Sequence, residues 1–211
     1  MIAIVDYGMG NLRSVVNALK KLGADVVITQ DRKTIAGSDA IVLPGVGAFG
    51  KCIENLERLH LFDFIKEMIV QEKRYLGICL GMQILFEESE EAPGTRGMGI
   101  IKGKVPRFTS NMKVPHMGWN SIKIVNEHPI FEDIKGGSHF YFVHSFFCQP
   151  EEKGVIATTT PYGVEFASSI QRGNVFACQF HPEKSQSIGL QLLLNFIRLS
   201  KGGLEGTKEL S

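Results

Sequence analysis

The sequence predicts one α/β domain over residues 1–200, with a mostly parallel central sheet, helices on both faces, and antiparallel strands added in its second half. Three observations carry this prediction. Up to Gly97, short β-branched runs alternate with segments of helical period, the pattern of successive βα units. From Gly97 onward, strand-like runs follow one another over short connections. The 211 residues, 44% of them hydrophobic, suffice for one substantial core, and no repeat or low-complexity linker divides them.

Ile2–Asp6 is the first strand, ending at the turn Tyr7-Gly8-Met9-Gly10-Asn11. Leu12, Val15, Val16, Leu19 and Leu22 then recur at helical spacing until Gly23 supplies a stop. Val26–Thr29 and Ala40–Leu43 are the next strands. Cys52 to Lys73 reads as one long amphipathic helix through Ile53, Leu56, Leu59, Phe62, Ile65 and Ile69. Tyr75–Cys79 is a strand, and Met82–Glu88 begins the helix after it. Thereafter Gly99–Phe108, Trp119–Val125, His139–Cys148, Val155–Thr160, Val164–Ile170 and Val175–Phe180 are predicted strands. A helix from Ile188 to Leu199 closes the domain on Leu190, Leu193, Leu194 and Ile197. The polar tail 201–211 is expected to fray.

Composition excludes several classes. Twenty-three basic and 22 acidic residues give a formal net charge of +1 with no basic block, so nucleic acid is not an expected partner. Residues 1–6 lack the basic and apolar regions of a signal peptide, and no apolar run is long enough to span a membrane. Cys52, Cys79, Cys148 and Cys178 show neither C-x-x-C pairing nor zinc spacing, which fits a reducing cytoplasm. No metal or cofactor is expected.

The chemistry concentrates in two stretches. Gly77-Ile78-Cys79-Leu80-Gly81 follows an apolar run and opens a helical one, the pattern of a sharp turn that lifts a nucleophile above the end of a parallel strand. A cysteine there, at a helix start, is placed to ionise and attack carbonyl carbon. The plain alternative is a buried small hydrophobe. His181-Pro182-Glu183 ends the run Val175–Phe180; in extended geometry residues i and i+2 share a face, so Glu183 can hold the His181 tautomer. His60, His116, His128, His139 and His144 lie in settings where a structural role is the default.

A third stretch is Pro44-Gly45-Val46-Gly47-Ala48-Phe49-Gly50, a glycine-rich turn able to direct backbone N–H groups at a substrate. With the N–H of Leu80, that of Val46 would form an oxyanion hole. Gly45-x-Gly47-x-x-Gly50 also matches a dinucleotide fingerprint, but Asp63 and Glu67 fall inside a predicted helix rather than at the end of a second strand, which argues against a nicotinamide.

These motifs in this order, with Gln83, resemble the class I glutamine amidotransferases, whose sheet is flavodoxin-like. Within that class the chain is similar to the glutaminase subunits of imidazole glycerol phosphate synthases. Asp6-Tyr7-Gly8-Met9-Gly10-Asn11-Leu12, Pro115-His116-Met117-Gly118-Trp119-Asn120, Tyr141-Phe142-Val143-His144-Ser145 and the extension Lys184-Ser185 carry the narrower likeness. The resemblance runs from residue 1 to Leu199.

It implies that Cys79 forms a glutamyl thioester from glutamine, that His181 moves the proton to departing ammonia, and that Glu183 orients His181. It places Gly47, Gln83, Ser145 and Phe146 at the glutamine. Ammonia in neutral water is mostly ammonium and unreactive, so a partner must take it directly. The residues after 200 are too few for a second synthase domain, so the acceptor site is expected on a separate polypeptide. The resemblance makes that partner a (β/α)8-barrel cyclase, in a heterodimer, producing imidazole glycerol phosphate and an aminoimidazole carboxamide ribotide. Asn11, Trp119, Tyr141 and Lys184 would lie near the interface; Trp119 reads equally as an anchor or as a core residue. The Pro44–Gly50 turn is the expected bistable element, flipping a peptide to aim Val46, with Gly45→Pro as its test.

Three alternatives stay open. One is a paralogue feeding nitrogen into another pathway. Another is a stand-alone cysteine hydrolase or peptidase on the same fold. The third is a catalytically silent regulatory subunit.

Overall fold

Isoleucine, valine and leucine fill the runs that become central strands. The structure, a computed structural model, describes residues 1–9, 12–109 and 112–202. Its first half runs β1 (Ile2–Val5), α1 (Leu12–Lys21), β2 (Val26–Thr29), α2 (Arg32–Ala36) and β3 (Ala40–Gly45). It continues with α3 (Phe49–Arg58), α4 (Phe62–Val70), β4 (Arg74–Cys79) and the single turn α5 (Leu80–Gln83). The second half holds β5 (Glu88–Ser89), β6 (Gly103–Val105), β7 (His116–Ser121), β8 (Lys123–Ile124), β9 (His139–His144) and β10 (Gln149–Pro150). Then come β11 (Ile156–Tyr162), β12 (Val164–Arg172), β13 (Val175–Cys178) and α6 (Gln186–Ser200).

The main sheet has the order β2-β1-β3-β4-β13-β12-β11-β8. Pairings from β2 to β13 are parallel, and those from β13 through β12 and β11 to β8 are antiparallel. This is the predicted α/β architecture. Its inner strands are buried on both faces, as parallel strands are. Ile2 and Ile4 of β1 join the core shared with α1 and α6, while Ala3 and Val5 join the core shared with α3 and α4. Two small sheets stand apart, β10-β6-β5 and the antiparallel ribbon β7-β9.

The order matters for chemistry because β4 lies between β3 and β13. Gly45 pairs with Cys79 and Cys178 with Ile78, so three stretches far apart in sequence end side by side.

The predicted helix Cys52–Lys73 is two helices. Its apolar residues step by three from Ile53 to Ile65, and each such step falls about 60° short of a full turn, so a straight helix would carry its stripe off the sheet. The chain breaks at His60, with φ 55°, and α4 restarts with its own buried face of Phe64, Ile65 and Ile69. The predicted helix Met82–Glu88 stops after one turn. Carbonyls of Ile84, Leu85 and Phe86 accept instead from the N–H groups of Met98, Ile101 and Gly99, which leaves no helical continuation.

Predicted strands in the second half are trimmed. Gly99–Phe108 shortens to β6, Trp119–Val125 splits between β7 and β8 in different sheets, and His139–Cys148 stops at His144 before β10. The short α2 is unpredicted; Asp31 caps it, its Oδ2 accepting from the Thr34 N–H at 2.8 Å. The closing helix begins two residues earlier than predicted, at Gln186. Of the tail, residues 203–211 lie outside the described residues. Among the described residues, no helix is long and apolar enough to cross a membrane.

Candidate active site

Cys79 ends β4 with φ 54° and ψ −104°, a left-handed conformation for a residue with a Cβ. Such a conformation costs on the order of 1–3 kcal/mol and persists where its surroundings enforce it. Here they do. A Cβ at Gly81 would sit 2.0 Å from the Leu43 carbonyl oxygen, so only glycine lets the turn fold back against β3. The side chain it raises is 7% exposed. Because α5 is one turn long, it offers the free N–H groups of that turn and not the extended helix dipole the sequence predicts, and the Cys79 side chain makes no capping hydrogen bond to them.

His181 follows β13. Its Nδ1 lies 2.8 Å from Glu183 Oε1, and both side chains are 2% exposed. A carboxylate only accepts, so Nδ1 carries a hydrogen and Nε2 is the position free to take one. Nε2 is buried and has no hydrogen-bond partner. The reach to Glu183 does not come from extended geometry: Pro182–Lys184 is a 3-10 turn, which folds the carboxylate back onto the ring. Burial works against a charged imidazole here. The Cys79 sulfur, close enough to interact without standard hydrogen-bond geometry, and Glu183 outweigh that and raise the pKa to about 10. The arrangement favours an imidazolium at His181.

One cavity of about 460 Å³ is walled by Val46, Gly47, Cys79, Leu80, Gln83, Ser145, Phe146 and Lys184. The oxyanion and glutamine-site candidates thus meet Cys79 in a single space. Leu80 opens α5, so its N–H lacks a helical acceptor. Gly47 has φ +110°, outside the range of ordinary side chains, and a Cβ there would meet Met9 Cε at 2.4 Å. Gly45 is packed differently: a Cβ would lie 2.6 Å from Leu80 Cβ and 2.7 Å from Tyr7 Oη. A proline at 45 would therefore disrupt packing whatever the turn does, and Gly47 is the better probe. A larger groove of about 1250 Å³ beside Ile124 and Phe131 contains none of these residues.

Two residues that the sequence does not single out belong to this site. Glu91 lines the cavity, and its Oε2 accepts from the Phe49 N–H at 2.7 Å, which ties it to the start of α3 within the Pro44–Gly50 stretch. Nothing local marks it. Gln179 donates from Nε2 to Cys79 Sγ at 3.4 Å and is fully buried. A polar residue two positions before His181, on an otherwise apolar strand, is the signal that was available.

Trp119 and Tyr141 face each other across the ribbon with ring centroids 6.2 Å apart, and Lys184 Nζ lies 5.9 Å from the Tyr141 ring centre. Trp119 is 46% exposed and Met117 62%, so the tryptophan is not a core residue. Asn11 lies outside the described residues. The ribbon is bonded to the turn that carries His181: the His181 N–H donates to the Tyr141 carbonyl at 2.9 Å, and the Tyr141 N–H to Ser185 Oγ at 3.0 Å.

His116 and His144 lie opposite each other on β7 and β9 and pair through their rings. Their rings are 2.9 Å apart at Nδ1 and Nε2, and burial pushes their pKa values down to about 4 and about 3. Among the described residues, no three His, Cys, Asp or Glu side chains gather as metal ligands would. Asp63 lies in the first turn of α4, with Glu67 in the same helix, so the glycine pattern at 45–50 has no ribose-binding acid from either.

Comparison with known proteins agrees with this geometry. The family model described as glutamine amidotransferase class-I matches residues 3–199. Imidazole glycerol phosphate synthase subunit HisH of Methanocaldococcus jannaschii is 52% identical over 199 residues, 94% of this chain and 100% of the relative. The protein of the same name from Aquifex aeolicus is 50% identical, covering 92% of this chain and 95% of its own. A crystal structure of a glutamine amidotransferase superposes with a TM-score of 0.75 at 20% identity, over 95% of this chain and all of that one, which speaks to the fold. With a matching family model over nearly its whole length and relatives about half identical to it, this chain belongs to the class-I glutamine amidotransferase family.

Proposed function

We propose that this chain is the glutaminase subunit of an imidazole glycerol phosphate synthase, hydrolysing glutamine and passing ammonia to a separate cyclase barrel in the cytoplasm. The observation that carries the reading is the meeting of Cys79, Leu80, Val46, Gln83 and Glu91 around one cavity, with the His181–Glu183 pair buried behind it, in a chain so similar to proteins of that name.

The Cys79 thiolate attacks the side-chain amide carbon of glutamine. Backbone N–H groups of Leu80 and Val46 take the developing oxyanion, each donor being worth about 3–4 kcal/mol in comparable sites. His181, cationic at rest, gives its proton to the departing nitrogen, and ammonia leaves a glutamyl thioester on Cys79. Neutral His181 then takes a proton from water, whose hydroxide displaces the thiolate and releases glutamate. Glu183 holds the ring so that Nε2 serves both steps. On the cavity wall Glu91 is the carboxylate placed to receive the substrate α-ammonium, alongside Gln83, Ser145, Phe146 and Gly47.

The exposed ribbon with Trp119, Met117 and Tyr141 is the docking face for the cyclase, and Lys184 extends it toward the cavity mouth. A stand-alone hydrolase has no need of such a face, and a silent subunit has no need of the strained nucleophile. Glutamate release from glutamine tests the reading, with the purified chain alone and mixed with the cyclase and its ribotide. Strong stimulation by the mixture supports it; high turnover by the chain alone, indifferent to the cyclase, overturns it.

A further inference from the structure

Gln179 has no part in the steps above, yet its amide N–H points at the nucleophile. Its Nε2 is 3.4 Å from Cys79 Sγ, and its Oε1 accepts from Gln83 Nε2 at 3.1 Å. The second bond from Gln83 Nε2 goes to the Phe146 carbonyl, also at 3.1 Å.

The amide orientations follow from chemistry. A backbone carbonyl can only accept, so Gln83 must turn its nitrogen to Phe146. That same nitrogen donates to Gln179, which must answer with its oxygen and therefore present its NH2 group to the sulfur. A second arm starts at the same carbonyl. His144 Nδ1 lies 2.8 Å from it and must carry a hydrogen, so His144 Nε2 accepts from His116 Nδ1. His116 Nε2 in turn accepts from Asn120 Nδ2 at 3.3 Å, next to Trp119. Every polarity in both arms is set by one obligate acceptor.

We propose that Gln179 is a catalytic residue of the glutaminase site, its amide N–H holding the Cys79 sulfur in place and stabilising the thiolate. The inference rests on Cys79 being the nucleophile. An amide donor suits the task because it cannot lose its proton to the sulfur, whereas a thiolate accepts a hydrogen bond far better than a thiol or a thioester does. The contact therefore strengthens whenever sulfur bears charge: before attack, and again when thiolate is expelled in hydrolysis.

The test uses the full chain with Gln179→Met, which removes the donor, and Gln179→Asn, which keeps an amide but draws it back by one methylene. Alkylation of Cys79 by iodoacetamide is followed against pH by peptide mass, together with kcat and KM for glutamine. The other cysteines give little background: burial pushes the Cys52 thiol up to about 12 and raises Cys148 and Cys178. The titratable groups that interact with the sulfur, His181, Tyr7, Cys148 and Cys178, and those on the cavity wall, Glu91, His144 and Lys184, are the same in parent and variants. We expect Gln179→Met to alkylate about tenfold more slowly at neutral pH, with its titration moved to higher pH and kcat about tenfold lower, the loss typical of one buried hydrogen bond. Gln179→Asn should move the same way by a smaller factor, and it decides the matter if Gln179→Met does not fold. A merely structural role leaves the alkylation profile in place, and the parent profile and kcat in the folded variants would overturn the proposal. Full turnover by Cys79→Ser would overturn the nucleophile assignment itself.

Discussion

Replacing Glu183 by glutamine should slow turnover about ten- to hundredfold while KM for glutamine stays within about threefold. The magnitude comes from the geometry. Glu183 Oε1 lies 2.8 Å from His181 Nδ1 and both side chains are 2% exposed, so the bond is charge-assisted and barely screened by water. Such bonds contribute about 1.5–3 kcal/mol, which is about 10- to 150-fold in rate if lost from the transition state. The direction with pH is also fixed. His181 titrates at about 10 because Cys79 and Glu183 outweigh burial, and removing the Glu183 charge lowers that value. The alkaline limb of the pH–rate profile, where the imidazolium proton owed to ammonia is lost, should move to lower pH. A raised folded-state pKa stabilises the fold fully below the unfolded value of about 6.5 and ceases to do so as pH rises through the folded one. Parent and variant should therefore differ most in Tm in mildly acidic buffer and converge toward pH 10. Glutamate release across pH, read alongside thermal melts, measures both effects. An unchanged kcat with an unmoved alkaline limb would refute the assignment of Glu183 as the group that holds His181.

Three further outcomes follow from the same geometry. Gly47→Ala, forced into φ +110° and against Met9, should lower kcat about tenfold or more through the oxyanion turn and lower Tm by several degrees, because that backbone strain costs about 1–3 kcal/mol even where Met9 yields; normal kinetics would remove that turn from the mechanism. Trp119→Ala should weaken binding to the cyclase by about 2 kcal/mol, measured by calorimetry, without altering the melting of the isolated chain, since the ring is 46% exposed. Glu91→Gln should raise KM for glutamine about tenfold and leave Cys79 alkylation unaffected, because the carboxylate stands on the cavity wall and not at the sulfur; a fall in kcat alone would place it elsewhere in the cycle.

What could be read from the sequence was whatever is encoded locally. The strand–glycine–cysteine–glycine run fixes a sharp turn within five residues, and His181 and Glu183 are two residues apart, so neither needs knowledge of the fold. Apolar runs such as Ile2–Val5 and Ala40–Leu43 place the parallel strands because burial on both faces permits little else. Failures occur where distant backbone decides. The helix after Cys79 ends early because residues 97–101 take the carbonyls of Ile84 to Phe86. Whether Trp119 is core or surface depended on β7 pairing with β9 away from the main sheet, a choice no local pattern records. Glu91 and Gln179 reach the cavity and the sulfur through tertiary contacts alone, and Gln179 looks like one polar residue in a strand until β13 is set beside β4.

Rapid quenching of the chain with glutamine, the cyclase and its ribotide present, followed by peptide mass analysis, looks for the glutamyl thioester on Cys79 itself. A glutamyl group on the peptide carrying Cys79, absent from Cys79→Ser, is the predicted result. Glutamate release that persists in Cys79→Ala, with no adduct on the parent, would contradict it.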